Sequence, residues 1–280
     1  MTDPMVSADW LESHLHDEDL RIVDATWFMP DDPRTGRASY ESAHIPGAVF
    51  FDIDEVANQA TDLPHMLPTP DAFARAVGAL GLGREHTIVV YDALGLFAAA
   101  RVWWSLRVMG FSKVFVLDGG LKAWRAAGGP VVTELPAPVE TRLDPALRPE
   151  LVRDLAAVQR HLDAGDAQLV DARGKPRFRG EAPEPRAGVR AGHMPGALNL
   201  PYNELLNADG TLKSEGELRL AFEDAGVDLA RPVVTTCGSG VSAAILALAL
   251  ARLGRDDAAV YDGSWTEWGG RSDTAVVTGA

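Results

Sequence analysis

The chain has 280 residues, 46% of them hydrophobic and 24% charged, the proportions of a globular protein able to bury one large core or two ordinary ones. Its formal charge of −14, from 26 basic against 40 acidic residues, excludes nucleic acid and anionic membranes as expected partners. No apolar run approaches the roughly 18 residues of a membrane span, and the start MTDPMVSADW lacks the basic and apolar regions of a secretory signal; with a single cysteine there is no internal disulfide, so a reducing, cytoplasmic setting is expected.

From the amino terminus, Leu20 to Thr26 (LRIVDAT) reads as a strand running into a polar loop, Ala43 to Val49 (AHIPGAV) as a tight turn, and Thr69 to Leu80 as an amphipathic helix. Ile88 to Tyr91 is a β-branched strand, followed by Asp92 and a helix over Gly95 to Gly110. Val114 to Leu117 is a further strand, closed by Asp118-Gly119-Gly120 and a short helix over Leu121 to Gly128. Pro130, Pro136, Pro138, Pro145 and Pro149 then punctuate a stretch with little helical period, the composition of a semi-rigid linker, which is placed at 139–151.

Beyond it the same order returns. QLVDAR (Gln168 to Arg173) matches the first strand, GHMPGAL (Gly192 to Leu198) the turn, Val233 to Thr236 the second strand, and YDGSWTEW (Tyr261 to Trp268) answers LDGGLKAW (Leu117 to Trp124), at offsets of 144 to 149 residues. Four blocks in one order at a nearly constant offset mark an internal duplication. The predicted fold is α/β: two tandem domains, 1–138 and 152–280, each a mostly parallel sheet flanked by helices. Ligands of such sheets bind beyond the carboxyl ends of the strands. The duplication puts Asp92 there in one domain and Cys237 in the other, so one active site is expected, in the second domain. The first domain is expected to be catalytically inactive, a scaffold and one wall of the pocket.

Cys237 follows the strand Val233 to Thr236 and precedes Gly238-Ser239-Gly240 and a helix over Val241 to Leu253. A lone cysteine is usually a small buried hydrophobe. Here the context argues for chemistry, because the first turn of a helix offers unpaired N–H groups and the positive end of its dipole, and Gly238 and Gly240 let the backbone curl around one point. Such a loop favours the thiolate, a nucleophile. Arginines concentrate at Arg173, Arg177, Arg179, Arg186 and Arg190, in a long loop after the strand Leu169 to Ala172; guanidinium forks suit a carboxylate or a sulfonate, and the alternative is a solvated loop paired with Glu181 and Glu184. His44 and His193 both stand in His-x-Pro-Gly-Ala, and since one copy lacks a cysteine their residue pattern reads as structural. No spaced cluster suggests a metal and no glycine-rich phosphate loop is present, so no metal or cofactor is expected.

The segments YESAHIPGA (Tyr40 to Ala48) and AAVYDGSWTEW (Ala258 to Trp268) resemble the two signatures of the tandem rhodanese family, over nearly the whole chain. Cys237-Gly-Ser-Gly-Val241-Ser242 is similar to the six-residue loop of that family's 3-mercaptopyruvate sulfurtransferase branch, with Ser242 in place of the usual threonine. The resemblance implies sulfur transfer from 3-mercaptopyruvate through a persulfide on Cys237, cradled by Gly238, Gly240, Val241 and Ser242, with release of pyruvate. It implies that Arg177 and Arg186 hold the substrate carboxylate and carbonyl, and that Ser239 steadies the persulfide, polarises the ketone or delivers the proton, working in some members with a His and an Asp of the first domain. Those would be His44 and Asp31 or Asp32 here, and His65 in His-Met-Leu-Pro would line the pocket from the opposite domain. The acceptor implied is thioredoxin, a small thiol or cyanide.

Three rivals are weighed. Thiosulfate:cyanide sulfurtransfer at the same cysteine is the nearest, but this loop carries no basic residue after Cys237. A rhodanese-fold phosphatase needs arginine at the sixth position after the cysteine, where Ala243 stands. A non-catalytic binding module of the same fold has no need of Cys237 between a strand and a glycine-rich loop.

Overall fold

The computed structural model describes residues 3–279. Two compact units emerge, one from the chain up to Gln59 with Leu67–Arg148 and Asn207–Leu212, the other from Ala60–Met66, Pro149–Leu206 and Lys213 onward. The first contains β1 (Met5–Val6), α1 (Ala8–His14), β2 (Leu20–Asp24), α2 (Gly36–Ser42), β3 (Val49–Phe50), α3 (Pro70–Ala79), β4 (Thr87–Tyr91), α4 (Ala98–Val108), β5 (Val114–Leu117) and α5 (Gly120–Ala126). The second repeats the order with β6 (Val152–Arg153), α6 (Leu155–Ala164), β7 (Gln168–Asp171), α7 (Lys175–Phe178), β8 (Leu198–Asn199), α8 (Glu215–Asp224), β9 (Val233–Thr236), α9 (Ala243–Arg252), β10 (Ala259–Tyr261) and α10 (Ser264–Gly270).

Each unit holds a five-stranded parallel sheet, in the orders β1-β5-β4-β2-β3 and β6-β10-β9-β7-β8. The central strands β4 and β9 are almost wholly buried, as continuous β-branched runs demand when both faces are covered. Helix α9 is apolar all round and is buried all round; Ile245, Leu246, Leu248 and Leu250 are each fully enclosed, at about 2 kcal/mol apiece. The amphipathic helices begin where their caps dictate. Thr69 accepts from Ala72 N ahead of Pro70 at the start of α3, and Asp154 accepts from Ala157 N at the start of α6.

One expectation changes. The proline-rich stretch read as a linker lies along the first unit as far as Arg148: Thr141 N donates to Gly78 O and its hydroxyl to Leu82 O, Arg84 donates to Asp144 O, and Arg148 N donates to Val108 O. A Cβ at Gly78 would stand 2.3 Å from Thr141 O, so that helix glycine is where the strap crosses. Prolines interrupt helical periodicity, but here they sit in an extended segment whose backbone groups are paired to the core.

Candidate active site

The carboxyl end of β9 delivers Cys237, which is 2% exposed, and the chain turns through Gly238, Ser239 and Gly240 into α9. Gly240 has φ +78, a left-handed conformation that glycine adopts freely. Ser239 and Val241 are buried and Ser242 is half-buried at the cap of α9. The first turn of α10 holds the loop backbone: Trp265 N donates to Cys237 O at 2.9 Å, and Thr266 donates to Gly238 O through both its N–H (2.9 Å) and its hydroxyl (2.7 Å). Ser264 Oγ donates to Tyr261 O and accepts the Cys237 N–H at 3.3 Å.

Arg177, on the short helix α7, reaches this loop. A Cβ placed on Gly238 would lie 3.1 Å from its Nη2, so the guanidinium lies close against the residue that follows the cysteine. Glu184 orients it, accepting from Arg177 Nε at 3.2 Å and from Nη2 at 2.5 Å. The same carboxylate, 3% exposed, accepts from Arg173 Nη1 at 2.9 Å. Arg173 is fully buried on Asp171, donates to Gly192 O, and lies over the Trp265 ring at 4.3 Å. Asp171, Arg173, Glu184 and Arg177 thus form a continuous ion-pair chain from the end of β7 to the cysteine loop. Its inner members are fixed, while Arg177, with 30% of its side chain exposed, faces outward.

The structure brings Arg177 beside the cysteine loop, and Glu184, which the alternative reading paired with the arginines of a solvated loop, is the buried hinge between two of them. Arg186 lies half-buried nine residues along the same loop. Arg190 serves α10, donating to the carbonyls of Gly269, Trp268 and Arg271 and to Thr274 Oγ1.

The relay implied for His44 with Asp31 or Asp32 is not formed. His44 is buried with Nδ1 against Tyr40 O and Nε2 against Glu134 O, and its ring stacks on Tyr40. Asp32 forms a fork with Arg34 that holds its carboxyl at about 2, and Asp31 is exposed. Carbonyls claim the imidazole nitrogens, which is the structural role the repeated motif suggested. His193 sits likewise, on Phe178 O and stacked on Phe178. His65 is buried with a left-handed backbone, φ +60, on the segment Ala60–Met66 of the second unit.

The counterpart loop shows what such a curl can hold. Asp92, at the end of β4, accepts N–H bonds from Leu94 (2.9 Å), Phe97 (2.7 Å) and Ala99 (2.9 Å). Burial pushes this carboxyl above its ordinary value, and the loop N–H groups oppose that by favouring the ionised form. The duplicated loop therefore wraps an acidic side chain where the second unit has a thiol.

A rhodanese-like domain profile matches residues 7–127 and again 154–271. The chain belongs to the rhodanese family. This rhodanese is 43% identical to the 3-mercaptopyruvate sulfurtransferase of Escherichia coli K12, over 97% of its own length and 96% of the relative's. It is 42% identical to the Arabidopsis thaliana protein named thiosulfate/3-mercaptopyruvate sulfurtransferase 1, mitochondrial, over 98% and 78% of the two chains. Its fold matches the crystal structure of SseA from Escherichia coli with a TM-score of 0.87 and 40% identity, covering 94% of this rhodanese and 99% of that chain.

Proposed function

We propose that the chain is a sulfurtransferase that takes sulfur from 3-mercaptopyruvate onto Cys237. The observation that carries the reading is the Arg177 guanidinium set over Gly238 beside the sole cysteine and held there by Glu184. A fixed planar fork beside a nucleophile suits a donor with a carboxylate at one end and sulfur at the other. Arg186, farther along the loop, is assigned the second contact to the donor.

In this reading the Cys237 thiolate attacks the sulfur of the donor. The S–S bond forms as the C–S bond breaks, and the bonding pair leaves on carbon as the enolate of pyruvate, which takes up a proton. Ser239, buried in the loop, is assigned that proton delivery or a bond to the ketone oxygen. The persulfide is cradled by the backbone of Gly238, Gly240, Val241 and Ser242, as the Asp92 carboxylate is by its own loop. An acceptor thiol, of thioredoxin or a small molecule, or cyanide, then attacks the outer sulfur and returns the Cys237 thiolate. A reducing compartment such as the cytoplasm keeps that thiol available. Among the described residues no helix is long and apolar enough to cross a membrane.

Thiosulfate is the second donor to weigh, since one relative's name carries both. It has no carboxylate to engage a second guanidinium, and the residues after Cys237 add no positive charge. Side-by-side kcat/KM values decide between them: mercaptopyruvate is expected to exceed thiosulfate clearly, and the reverse order overturns the donor assignment.

A further inference from the structure

The first turn of α10 differs from its duplicate in a way that tracks the nucleophile. Trp265 N holds Cys237 O as Leu121 N holds Asp92 O, at 2.9 and 3.0 Å, so the two helix starts superpose in role. On either side of that shared bond the residues diverge. Gly120 stands where Ser264 is, and Lys122 where Thr266 is. Both Gly120 and Ser264 have left-handed backbones, with φ of +55 and +49. In the first unit a Cβ at Gly120 would lie 2.3 Å from Asp92 O, and glycine is required. In the second unit a serine accepts the conformational cost, of order 1 kcal/mol. Its hydroxyl proton goes to Tyr261 O, which turns an oxygen lone pair to the Cys237 N–H.

The two Thr266 bonds act on the next peptide. All peptide bonds among the described residues are trans, so each carbonyl points opposite to the following N–H. Fixing Gly238 O on the N–H and hydroxyl of Thr266 therefore turns the Ser239 N–H away from α10, into the loop. In the duplicate the equivalent N–H, that of Leu94, donates to the side chain of Asp92 at 2.9 Å.

We propose that Thr266, with Ser264, is a positioning residue of the sulfur-transfer site, a hydroxyl clamp that holds the Cys237–Gly238 backbone so that the Ser239 N–H serves the sulfur. The proposal rests on the reading of Cys237 as the sulfur-accepting nucleophile. Neither hydroxyl touches donor or acceptor; both act through the loop.

The test compares wild type with Thr266→Val, which keeps shape and the backbone bond, Thr266→Ser, which keeps the hydroxyl, and Ser264→Gly. Iodoacetamide alkylation is followed against pH, the sole cysteine removing ambiguity, together with kcat and KM for mercaptopyruvate. Arg177 and Glu184 beside the loop, and Asp262 and Glu267 around the start of α10, are charged groups of the elements packed here, and all remain in every variant. In Thr266→Val the alkylation profile moves upward by about half a pH unit and kcat falls about fivefold, the worth of one net hydrogen bond, with KM within about twofold. Thr266→Ser restores both. Ser264→Gly shifts the profile the same way, because the Cys237 N–H loses its acceptor. Profiles of Thr266→Val and Ser264→Gly that superimpose on wild type overturn the clamp, as does a shift that Thr266→Ser does not reverse. Retained turnover in Cys237→Ser overturns the nucleophile itself, a separate result.

Discussion

Arg177 commits its Nε and one Nη to Glu184, and that bidentate hold is what a lysine could not reproduce. The ammonium of Arg177→Lys would keep the charge but lose the planar fork and its fixed direction. For this variant kcat/KM with mercaptopyruvate is expected to fall at least about tenfold, chiefly through KM, with a smaller loss for thiosulfate. Equal losses for both donors in steady-state assays would move Arg177 from carboxylate binding to general support of the loop. At this scale the sequence disclosed the players better than their partners. Cys237 and Arg177 stand out by type and context, whereas Glu184 looks like any loop acid until Arg173 is seen to be buried beneath it. The Thr266 hydroxyl gave no signal either, since a threonine in the first turn of a helix is ordinary.

At the scale of elements, β2 and β7 end in matching acids with unlike surroundings. Asp171, on β7, faces the buried Arg173 guanidinium. Asp24, on β2, has Thr26 in that place; burial pushes its carboxyl up from 3.8 to about 6, with the Thr26 bonds and Tyr91 pulling it down and the nearby Asp92 adding to the rise. A folded value above the unfolded one means that folding takes up a proton between them. The contribution of Asp24 to the stability of the first unit is therefore full below about pH 4, falls as pH rises toward 6, and is level above it. Asp24→Asn, which keeps an acceptor for Thr26 N, is expected to flatten the pH slope of the first unit's stability and to stabilise it at pH 7.5 by up to about 3 kcal/mol. Urea unfolding at pH 4 and 7.5 checks it; an unchanged pH slope would contradict the assignment. The strands and helices were legible because their apolar runs and caps are local signals. Helix α4 starts at Ala98, later than its sequence pattern, because the preceding residues are wrapped around the Asp92 carboxylate, a tertiary demand that no local pattern announces.

For the whole molecule, the duplication was the most informative feature of the sequence, because four ordered blocks fixed two sheets of one topology and set Asp92 against Cys237. The course of residues 139–148 escaped it, since prolines mark an extended path but not the surface on which that path lies. The implied His44 relay failed for a related reason: a motif repeated in both units binds carbonyls in both. What the duplication implies for function is one reactive sulfur per chain. Intact-mass spectrometry of the protein after brief exposure to mercaptopyruvate, without added acceptor, measures that directly. The account predicts a gain of one sulfur atom in wild type, reversed by a small thiol and absent in Cys237→Ser. An unchanged wild-type mass with pyruvate still released, or the same gain in Cys237→Ser, would contradict it.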